Sequence, residues 1–207
     1  MPEHSPRWIP TTRLDEAFML ARLLHAGQSR KTADEKTPGI PYISHLMTVA
    51  ALVIEHGGTE DQAIAALLHD AIEDTSMTME SLTFEFGGTV GQIVDACSDH
   101  HGGGQKKPWK ERKEEYLSHL RDETDADDPA ILVALADKVH NATCTELELR
   151  GLSAEQRHEY WKKFSVGEDQ QRWWYQSLAV EFDAKSEGQP WAGLSTQFSG
   201  IVARMFP

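Results

Sequence analysis

The stretch LLHDAIEDT, residues 67–75, places a histidine and three acidic side chains directly after the apolar run AIAALL of residues 63–68. At about 100° per residue, a helix through this stretch brings the polar side chains onto one arc of roughly 140°. Upstream of them the helix is apolar on every face, which is typical of a buried helix. Buried carboxylates are unfavourable unless they are paired or bind a cation, so the stretch predicts a working site in preference to a solvated helix end. The polar side chains are His69, Asp70, Glu73 and Asp74.

A second segment repeats this pattern. The run ILVALA, residues 131–136, is apolar throughout, and Asp137 and Asn141 follow it one helical turn apart. An ordinary polar helix end is the alternative interpretation, but the repetition favours a site. His45 lies on the apolar arc of PYISHLMTVAALV, residues 41–53, and is predicted to face the core. A single histidine there is more often a hydrogen-bonded core residue than a ligand. His45 therefore becomes a candidate ligand only in combination with the other two segments.

The three segments together offer two imidazoles and two carboxylates, from His45, His69, Asp70 and Asp137. A set of nitrogen and oxygen ligands without thiolate suits Mn²⁺, Fe²⁺ or Zn²⁺ better than it suits a structural zinc site. Four protein ligands on a six-coordinate ion leave two positions for water and a phosphate oxygen. Such open coordination is typical of catalytic metal sites.

The rest of the chain predicts one all-α domain. Its 207 residues and 40% apolar content suit a single globular core. Helical spacing recurs almost throughout, and no alternating run is long enough to indicate a sheet. Glycine, proline and charged clusters separate the helices, and no element is predicted for the tail, residues 187–207. The predicted helices cover about residues 11–28, 42–56, 61–74, 79–86, 89–98, 110–121, 130–149, 154–164 and 170–184.

Charge and hydropathy limit the possible partners. The net charge of −13 disfavours binding to nucleic acid or to a membrane surface, since both are polyanions. An anionic ligand then requires a metal ion or a few well-placed Arg and Lys side chains. The sequence contains no apolar stretch of the roughly 20 residues that cross a bilayer, and residues 1–13 do not resemble a signal peptide. We therefore expect a cytoplasmic protein, and the oligomeric state is not predicted.

Several other groups have ordinary structural interpretations. Cys97 and Cys144 are expected to be buried reduced thiols. The aromatic cluster of residues 173–175 could stack on a base, but packing of a terminal helix on the body is favoured. Most cations of the run KKPWKERK, residues 106–113, are expected to be exposed, with one or two in reach of phosphate. The remaining histidines of interest are expected to lie at the surface or behind the ligands, and they are His100, His101 and His140.

The order H…HD…D resembles the HD-domain metal-dependent phosphohydrolases. The words HAGQSRK, PYISHL, AALLHDAIEDT, FG and ALADKVHN are similar to the hydrolase domain of RelA/SpoT-type enzymes, and most similar to the small alarmone hydrolases without a synthetase domain. The resemblance covers about residues 14–149. It implies a single-domain helical bundle of HD type, in which C-terminal helices over residues 150–186 pack on the family-like core.

This resemblance implies Mn²⁺, or another divalent transition metal, and cleavage of the 3′-pyrophosphate of ppGpp or pppGpp. It implies that His45, His69, Asp70 and Asp137 hold the metal. Glu73 and Asp74 match the acidic pair that handles the attacking water, and Arg30, Lys31 and Asn141 match residues near the nucleotide. Three departures lie near the expected pocket: a longer loop between Lys31 and Pro41, Leu46 in place of a proline, and the segment Cys97-Ser98-Asp99.

Three functional hypotheses remain open at this point. The first is hydrolysis of ppGpp, in which the ion activates a water and Glu73 or Asp74 accepts its proton. The second keeps this chemistry but changes the substrate, for example to the 2′-phosphate of NADPH. The third is a module that binds alarmone or neutralises a toxin without turnover, and the complete set of ligands and acids argues against it.

Overall fold

Helices form nearly all of the regular structure. The computed structural model describes residues 7–30, 39–98, 107–122 and 124–207. Within these ranges the chain has no β-strand, apart from one antiparallel bridge between Ser29 and Pro41, so the all-α prediction is confirmed. The helices are α1 (Thr12–Leu24), α2 (Ile43–Glu55), α3 (Glu60–Leu68), α4 (Ala71–Asp74), α5 (Met79–Phe86), α6 (Gly88–Cys97), α7 (Trp109–Asp122), α8 (Pro129–Leu149), α9 (Ala154–Trp161), α10 (Glu168–Lys185) and α11 (Ala192–Met205).

Local capping explains several of these boundaries. Thr59 and Gln62 form a reciprocal capping box at the start of α3. The Asp128 carboxylate accepts a hydrogen bond from the Ala130 amide, while Pro129 occupies the first helical position of α8. Between α5 and α6, Gly87 adopts φ 93°, a conformation that L side chains rarely adopt. These signals are visible in the sequence, and most predicted boundaries lie within about two residues of the observed ones.

The third helix differs from the prediction because it is interrupted. α3 ends at Leu68, and His69 and Asp70 connect it to the short helix α4. In a continuous helix the Ala66 carbonyl would accept a hydrogen bond from the Asp70 amide. Here that carbonyl accepts one from His69 Nδ1 at 2.8 Å instead. Both His69 (φ −60°, ψ −30°) and Asp70 (φ −94°, ψ −3°) retain right-handed helical conformations, so the polar side chains stay close together.

Helix α8 is the central element of the packing. It contacts α2, α3, α6 and α11, and its residues from Ala130 to Leu135 are all buried. The tail, for which no helix was predicted, contributes α11, whose apolar face packs on α8 and α10. One apolar cluster extends from Ala17 in α1 to Phe206 near the C-terminus. The C-terminal helices therefore share their core with the segments that carry the predicted ligands.

The aromatic cluster of α10 packs mainly against α7, as favoured from the sequence. Trp174 is buried and makes edge-to-face contacts with Trp109 and Tyr116, and Trp173 contacts Trp109. Such aromatic pairs stabilise a fold beyond the area that they bury. No helix in the described ranges combines the length and the hydropathy needed to cross a membrane.

The contribution of α11 can be tested by substitution of Phe198. Its side chain is fully buried and contacts Phe182 at a ring-centroid distance of 5.9 Å. We expect Phe198→Ala to lower the free energy of unfolding by about 3–5 kcal/mol, because it leaves a cavity in the core. Phe84, which is 93% exposed, provides the control, and Phe84→Ala should change little. Urea unfolding of both variants measures the difference, and equal stabilities would contradict the packing of α11.

Candidate functional site

The four predicted metal ligands lie together at the start of α2, at the α3–α4 junction and in α8. His45 Nε2 lies 3.2 Å from Asp137 Oδ1 and 3.6 Å from Asp70 Oδ2. His69 Nε2 lies 3.1 Å from Asp70 Oδ2 and 3.7 Å from Asp137 Oδ1. Both imidazoles are buried. Two imidazole nitrogens and two carboxylate oxygens from three distant segments therefore enclose one small space.

The hydrogen bonds of His69 leave its inward nitrogen available as a ligand. Nδ1 must carry a proton, because it donates to the Ala66 carbonyl. In the neutral ring the buried Nε2 presents a lone pair, and no hydrogen-bond partner satisfies this atom among the described residues. A backbone carbonyl that holds the outer ring nitrogen is the usual arrangement around a metal-binding histidine. His69 is therefore oriented as a ligand would be.

These residues fit a divalent transition metal ion. The ligand atoms of His45, His69 and Asp137 all lie within 4.8 Å of one another. Ligands about 2.1 Å from a common ion lie about 3.0–3.4 Å apart in octahedral or tetrahedral arrangements, close to the observed separations. A cation at this position would also compensate the buried Asp137 carboxylate and the half-buried Asp70 carboxylate, and it would occupy the lone pair of His69. The mixed nitrogen and oxygen donors match the prediction from the sequence.

Asp137 is held by a network that reaches the basic segment before α2. Asp137 Oδ2 accepts from Lys138 Nζ and Oδ1 accepts from Asn141 Nδ2, each at 2.5 Å. The Asn141 side-chain oxygen in turn accepts from Arg30 Nη2 at 2.7 Å. The structure thus connects Arg30 and Asn141 to a candidate ligand. The remaining predicted residue, Lys31, lies outside the described residues.

Asp70 has its own supporting partner, Tyr42, which the sequence analysis missed. The Tyr42 hydroxyl donates to Asp70 Oδ2 at 2.5 Å, and burial together with the Asp70 charge raises the pKa of Tyr42. Backbone hydrogen bonds from Arg30 to Ile40 and from Tyr42 to Gln28 fix the start of α2 beside the basic segment. The word PYISHL contains this tyrosine, but only the fold shows its contact with the following ligand pair.

The charges of the cluster compensate one another strongly. Burial alone would raise the pKa of the Asp137 carboxyl, but Lys138 and the two imidazoles hold it well below its ordinary value. Burial likewise disfavours the charged form of His69, yet Asp70 and Asp137 raise its pKa above the ordinary value. Both carboxylates are therefore ionised at neutral pH and provide anionic ligands. A proton on His69 must leave when a cation binds.

His140 is a further supporting residue. From the sequence it was expected to lie either at the surface or behind the ligands. Its Nδ1 lies 2.6 Å from His45 Nδ1, and the rings stack at 4.9 Å. Burial and the neighbouring His45 lower the pKa of His140 to about 4, so this ring is neutral at pH 7. If His45 Nε2 is the ligand, His45 Nδ1 donates to His140 Nδ1. His140 Nε2–H then points to Cys144 Sγ, 3.5 Å away.

We expect the loss of His140 to weaken metal binding. His140→Leu removes the acceptor that orients His45, and Mn²⁺ affinity should fall about 10–100-fold, as for other residues that support metal ligands. His140→Asn is the matched control, because its side-chain oxygen can accept at the position of Nδ1. Titration calorimetry with Mn²⁺ compares the variants. Equal affinities of His140→Leu and the wild type would contradict the orienting role.

The cluster forms part of a cleft of about 690 Å³. His69, Asp70 and Asp137 line it, and so do Glu73 and Asp74, which are exposed on α4. Gln28 Nε2 donates to the Asp74 backbone carbonyl at 3.0 Å and ties α4 to the basic segment. The acidic pair thus adjoins the ligands along the same wall.

The rest of the cleft lining, called the far wall here, comes from α6, α7, α8, α9 and α10 and from the segment after α9. The sequence left open whether residues 173–175 stack on a base, and it predicted one or two cations of residues 106–113 in reach of phosphate. Cys97 and Cys144 also line the cleft and are half-buried, whereas both were expected to be fully buried. Burial raises the pKa of Cys97 to about 12. Of the basic run, only Lys113 lines the cleft among the described residues, while Lys106, His100 and His101 lie outside the described ranges. The far-wall aromatic residues are Tyr116, Tyr160, Phe164, Trp174 and Tyr175.

The chain is similar to proteins of known name. A zebrafish (Danio rerio) protein named guanosine-3′,5′-bis(diphosphate) 3′-pyrophosphohydrolase MESH1 is 34% identical over 153 residues, which cover 70% of this chain and 79% of that protein. A Haemophilus influenzae guanosine-3′,5′-bis(diphosphate) 3′-pyrophosphohydrolase is 37% identical over 126 residues, or 59% of this chain. The chain matches only 17% of that bacterial protein's length.

A solved structure and a family model extend the comparison. The structure of a metazoan ortholog of SpoT superposes with a TM-score of 0.70 and 24% identity, covering 94% of this chain and 96% of the other, which shows a shared fold. The family model described as HD domain matches residues 13–164. That match includes all four candidate ligands and extends beyond residue 149, where the resemblance in the sequence ended. The chain belongs to the HD-domain family.

Proposed function

We propose that this chain is a metal-dependent phosphohydrolase that removes the 3′-pyrophosphate of ppGpp or pppGpp and releases GDP or GTP. The observation that carries the proposal is the convergence of two imidazoles and two carboxylates in a cleft that also holds an acidic pair and Arg30. The two relatives reported above have names that describe this activity. Mn²⁺ is the proposed ion, and other divalent transition metals suit the same donors.

His45, His69, Asp70 and Asp137 would hold the metal ion. When bound, the ion supplies Lewis-acid stabilisation of charge on phosphate and lowers the pKa of water at the site. The protein contributes orientation: the Ala66 carbonyl and His140 set the outward nitrogens of the two imidazoles, and Tyr42 supports Asp70. Phosphoryl transfer depends mainly on such positioning and charge neutralisation.

Glu73 or Asp74 is the proposed general base. The water oxygen forms a bond to the phosphorus attached to ribose O3′, and the bond between this phosphorus and O3′ breaks. O3′ leaves as a hydroxyl, because the proton that the carboxylate took from the water returns to it directly or through solvent. One carboxylate of the pair orients the water and accepts its proton. Both side chains line the cleft one turn beyond the candidate ligands, which gives them access to the attacking water.

Arg30, Lys31 and Asn141 are the proposed nucleotide contacts near the metal. Arg30 donates to Asn141 at 2.7 Å and also lies 5.8 Å from the centre of the Tyr42 ring. A guanidinium held in this way offers its other N–H groups to phosphate or ribose oxygens. Local cations of this kind compensate the net charge of −13, which would otherwise oppose a polyphosphate ligand.

Product analysis tests the proposed reaction. Manganese-loaded protein is incubated with ppGpp, pppGpp or NADPH, and the products are separated by anion-exchange chromatography. We expect GDP and pyrophosphate from ppGpp, and no product after chelation or with Asp70→Ala. Phosphate release from NADPH, without hydrolysis of ppGpp or pppGpp, would change the assigned substrate to NADPH. Binding of ppGpp without turnover would replace the enzyme with a binding module.

The proposal also covers the domain organisation, the location and the partners of the enzyme. We propose that residues 1–207 form a single HD-type domain, since α9 to α11 share the apolar cluster of the other helices. A cytoplasmic location suits an enzyme acting on a soluble nucleotide. The acidic surface argues against nucleic acid and membrane surfaces as partners.

A further inference from the structure

Four cations line the cleft among the described residues, and they fall into two groups. Lys138 pairs with Asp137, and Arg30 donates to Asn141, so both lie beside the candidate metal ligands. Lys113 on α7 and Lys163 after α9 line the cleft without a described contact to those ligands. Lys113 and Lys163 are called the distal lysines below.

Lys163 marks the end of the cleft farthest along α8 from Asp137. Its ammonium lies 2.5 Å from the Glu148 carboxylate and 3.7 Å from the centre of the Tyr160 ring. Glu148 follows Asp137 on α8 by three helical turns, a rise of about 16 Å. Lys163, Glu148 and Tyr160 all line the cleft. Lys163 is only 21% exposed, so its charge faces a partly desolvated space.

Lys113 lies on α7 and lines the same cleft. Its ammonium is 4.6 Å from the centre of the buried Trp174 ring. A cation over an aromatic ring has a restricted position, which lowers the entropy that it loses on binding an anion. The distal lysines thus present two positioned positive charges away from the metal ligands.

We propose that the distal lysines form a subsite for the 5′-diphosphate of the nucleotide. This inference deepens the proposed function and rests on it for the identity of the ligand. The 3′ and 5′ oxygens leave a ribose in different directions. A nucleotide whose 3′ phosphates reach the metal ligands therefore directs its 5′ phosphates towards another part of the cleft. Besides Lys138 and Arg30, the distal lysines are the cations that line the cleft among the described residues.

The charge of Glu148 limits the affinity of this subsite for phosphate. Its carboxylate neutralises Lys163, so a phosphate must share the lysine with Glu148. Removing the negative charge with Glu148→Gln should therefore strengthen binding of a 5′-diphosphate, while removing the positive charge weakens it. Opposite responses of two residues in contact distinguish an electrostatic subsite from a packing role, since disrupted packing would weaken binding in both variants.

Titration calorimetry with GDP and guanosine tests the subsite. GDP carries the 5′-diphosphate without any 3′ phosphate, so the measurement does not require hydrolysis. We expect the wild type to bind GDP at least about tenfold more tightly than guanosine, and Lys113→Gln/Lys163→Gln to lose this preference. Its affinity for GDP should also depend less on salt than that of the wild type.

A matched double variant controls for loss of surface charge. Lys110 lies over the Trp173 ring at 3.8 Å and pairs with Glu114, and Lys162 pairs with Glu159, but neither lysine lines the cleft. Lys110→Gln/Lys162→Gln removes the same charge from the same two elements and should bind GDP as the wild type does.

The outcomes separate this inference from the proposed reaction. Unchanged GDP binding in Lys113→Gln/Lys163→Gln, or weaker binding in Glu148→Gln, would overturn the subsite even if ppGpp is hydrolysed. Lysine-dependent GDP binding in a protein that does not hydrolyse ppGpp would support the subsite and refute the reaction.

Discussion

Replacing Glu73 with Gln and Asp74 with Asn in one variant is expected to slow ppGpp hydrolysis by about 10²–10⁴-fold, the usual contribution of a general base. Both acids are exposed on α4 and line the cleft beside Asp70. Their neutral counterparts have nearly the same shape but cannot accept the proton of the attacking water. Neither acid is one of the four candidate ligands, so Mn²⁺ affinity should change little.

Three measurements distinguish loss of the general base from loss of the metal site or of the fold. Initial rates of GDP formation show the loss of turnover, titration with Mn²⁺ shows that the metal site remains, and circular dichroism shows that the helices are intact. Glu80→Gln/Glu85→Gln removes two exposed acids from α5 and serves as the matched control. Wild-type turnover in the Glu73→Gln/Asp74→Asn variant would eliminate the acidic pair as the base. The two single variants then identify which acid accepts the proton.

Asp137→Asn is expected to abolish measurable Mn²⁺ binding and to destabilise the metal-free fold. The variant loses an anionic ligand, and it also leaves the Lys138 ammonium, 19% exposed, without its carboxylate partner. Loss of one partner from a buried ion pair typically costs about 3–5 kcal/mol of folding free energy. Unfolding should be measured in chelator, because bound metal would add stability to the wild type alone.

A second substitution separates the two effects. Lys138→Met keeps an unbranched side chain but removes the uncompensated charge. We expect Asp137→Asn/Lys138→Met to recover at least half of the lost stability without recovering metal binding. If Asp137→Asn is as stable as the wild type in chelator, the ion pair does not support the fold. Retained Mn²⁺ affinity would remove Asp137 from the ligand set.

The sequence predicted that the four candidate ligands lie close together. His69, Asp70 and Asp137 come directly after strongly apolar helical runs, whereas His45 precedes such a run and lies on its apolar face. Burial of those runs required the polar groups at their ends to have partners, whatever the tertiary arrangement. The interruption after Leu68 was not predictable from spacing, because it depends on the His69 ring taking the Ala66 carbonyl. The residues at the interruption kept helical dihedral angles, so the predicted proximity survived.

Other features depended on contacts between distant segments. His140 meets His45 across 95 positions, and no periodicity in either helix indicates that contact. No element was predicted for the tail, and Gly193, Gly200 and several hydroxyl residues have weak helix propensity. Packing of Phe198 and Met205 in the core outweighs that preference and forms α11. Local propensity was a poor guide where tertiary burial dominates.

Helix α8 carries Asp137 near its middle and Glu148 close to its end, on a rigid segment that does not change its length. Asp137, a candidate metal ligand, and Glu148, the partner of Lys163, are thus separated by a rise of about 16 Å along the helix axis. The helix would thus fix the distance between two groups that contact the ligand. A nucleotide with phosphates on both the 3′ and 5′ sides can engage both ends at once, whereas one with a single phosphorylated side reaches only one. With the proposed subsite in place, the distance between two charged groups would contribute to substrate selection, in addition to the chemistry of either group.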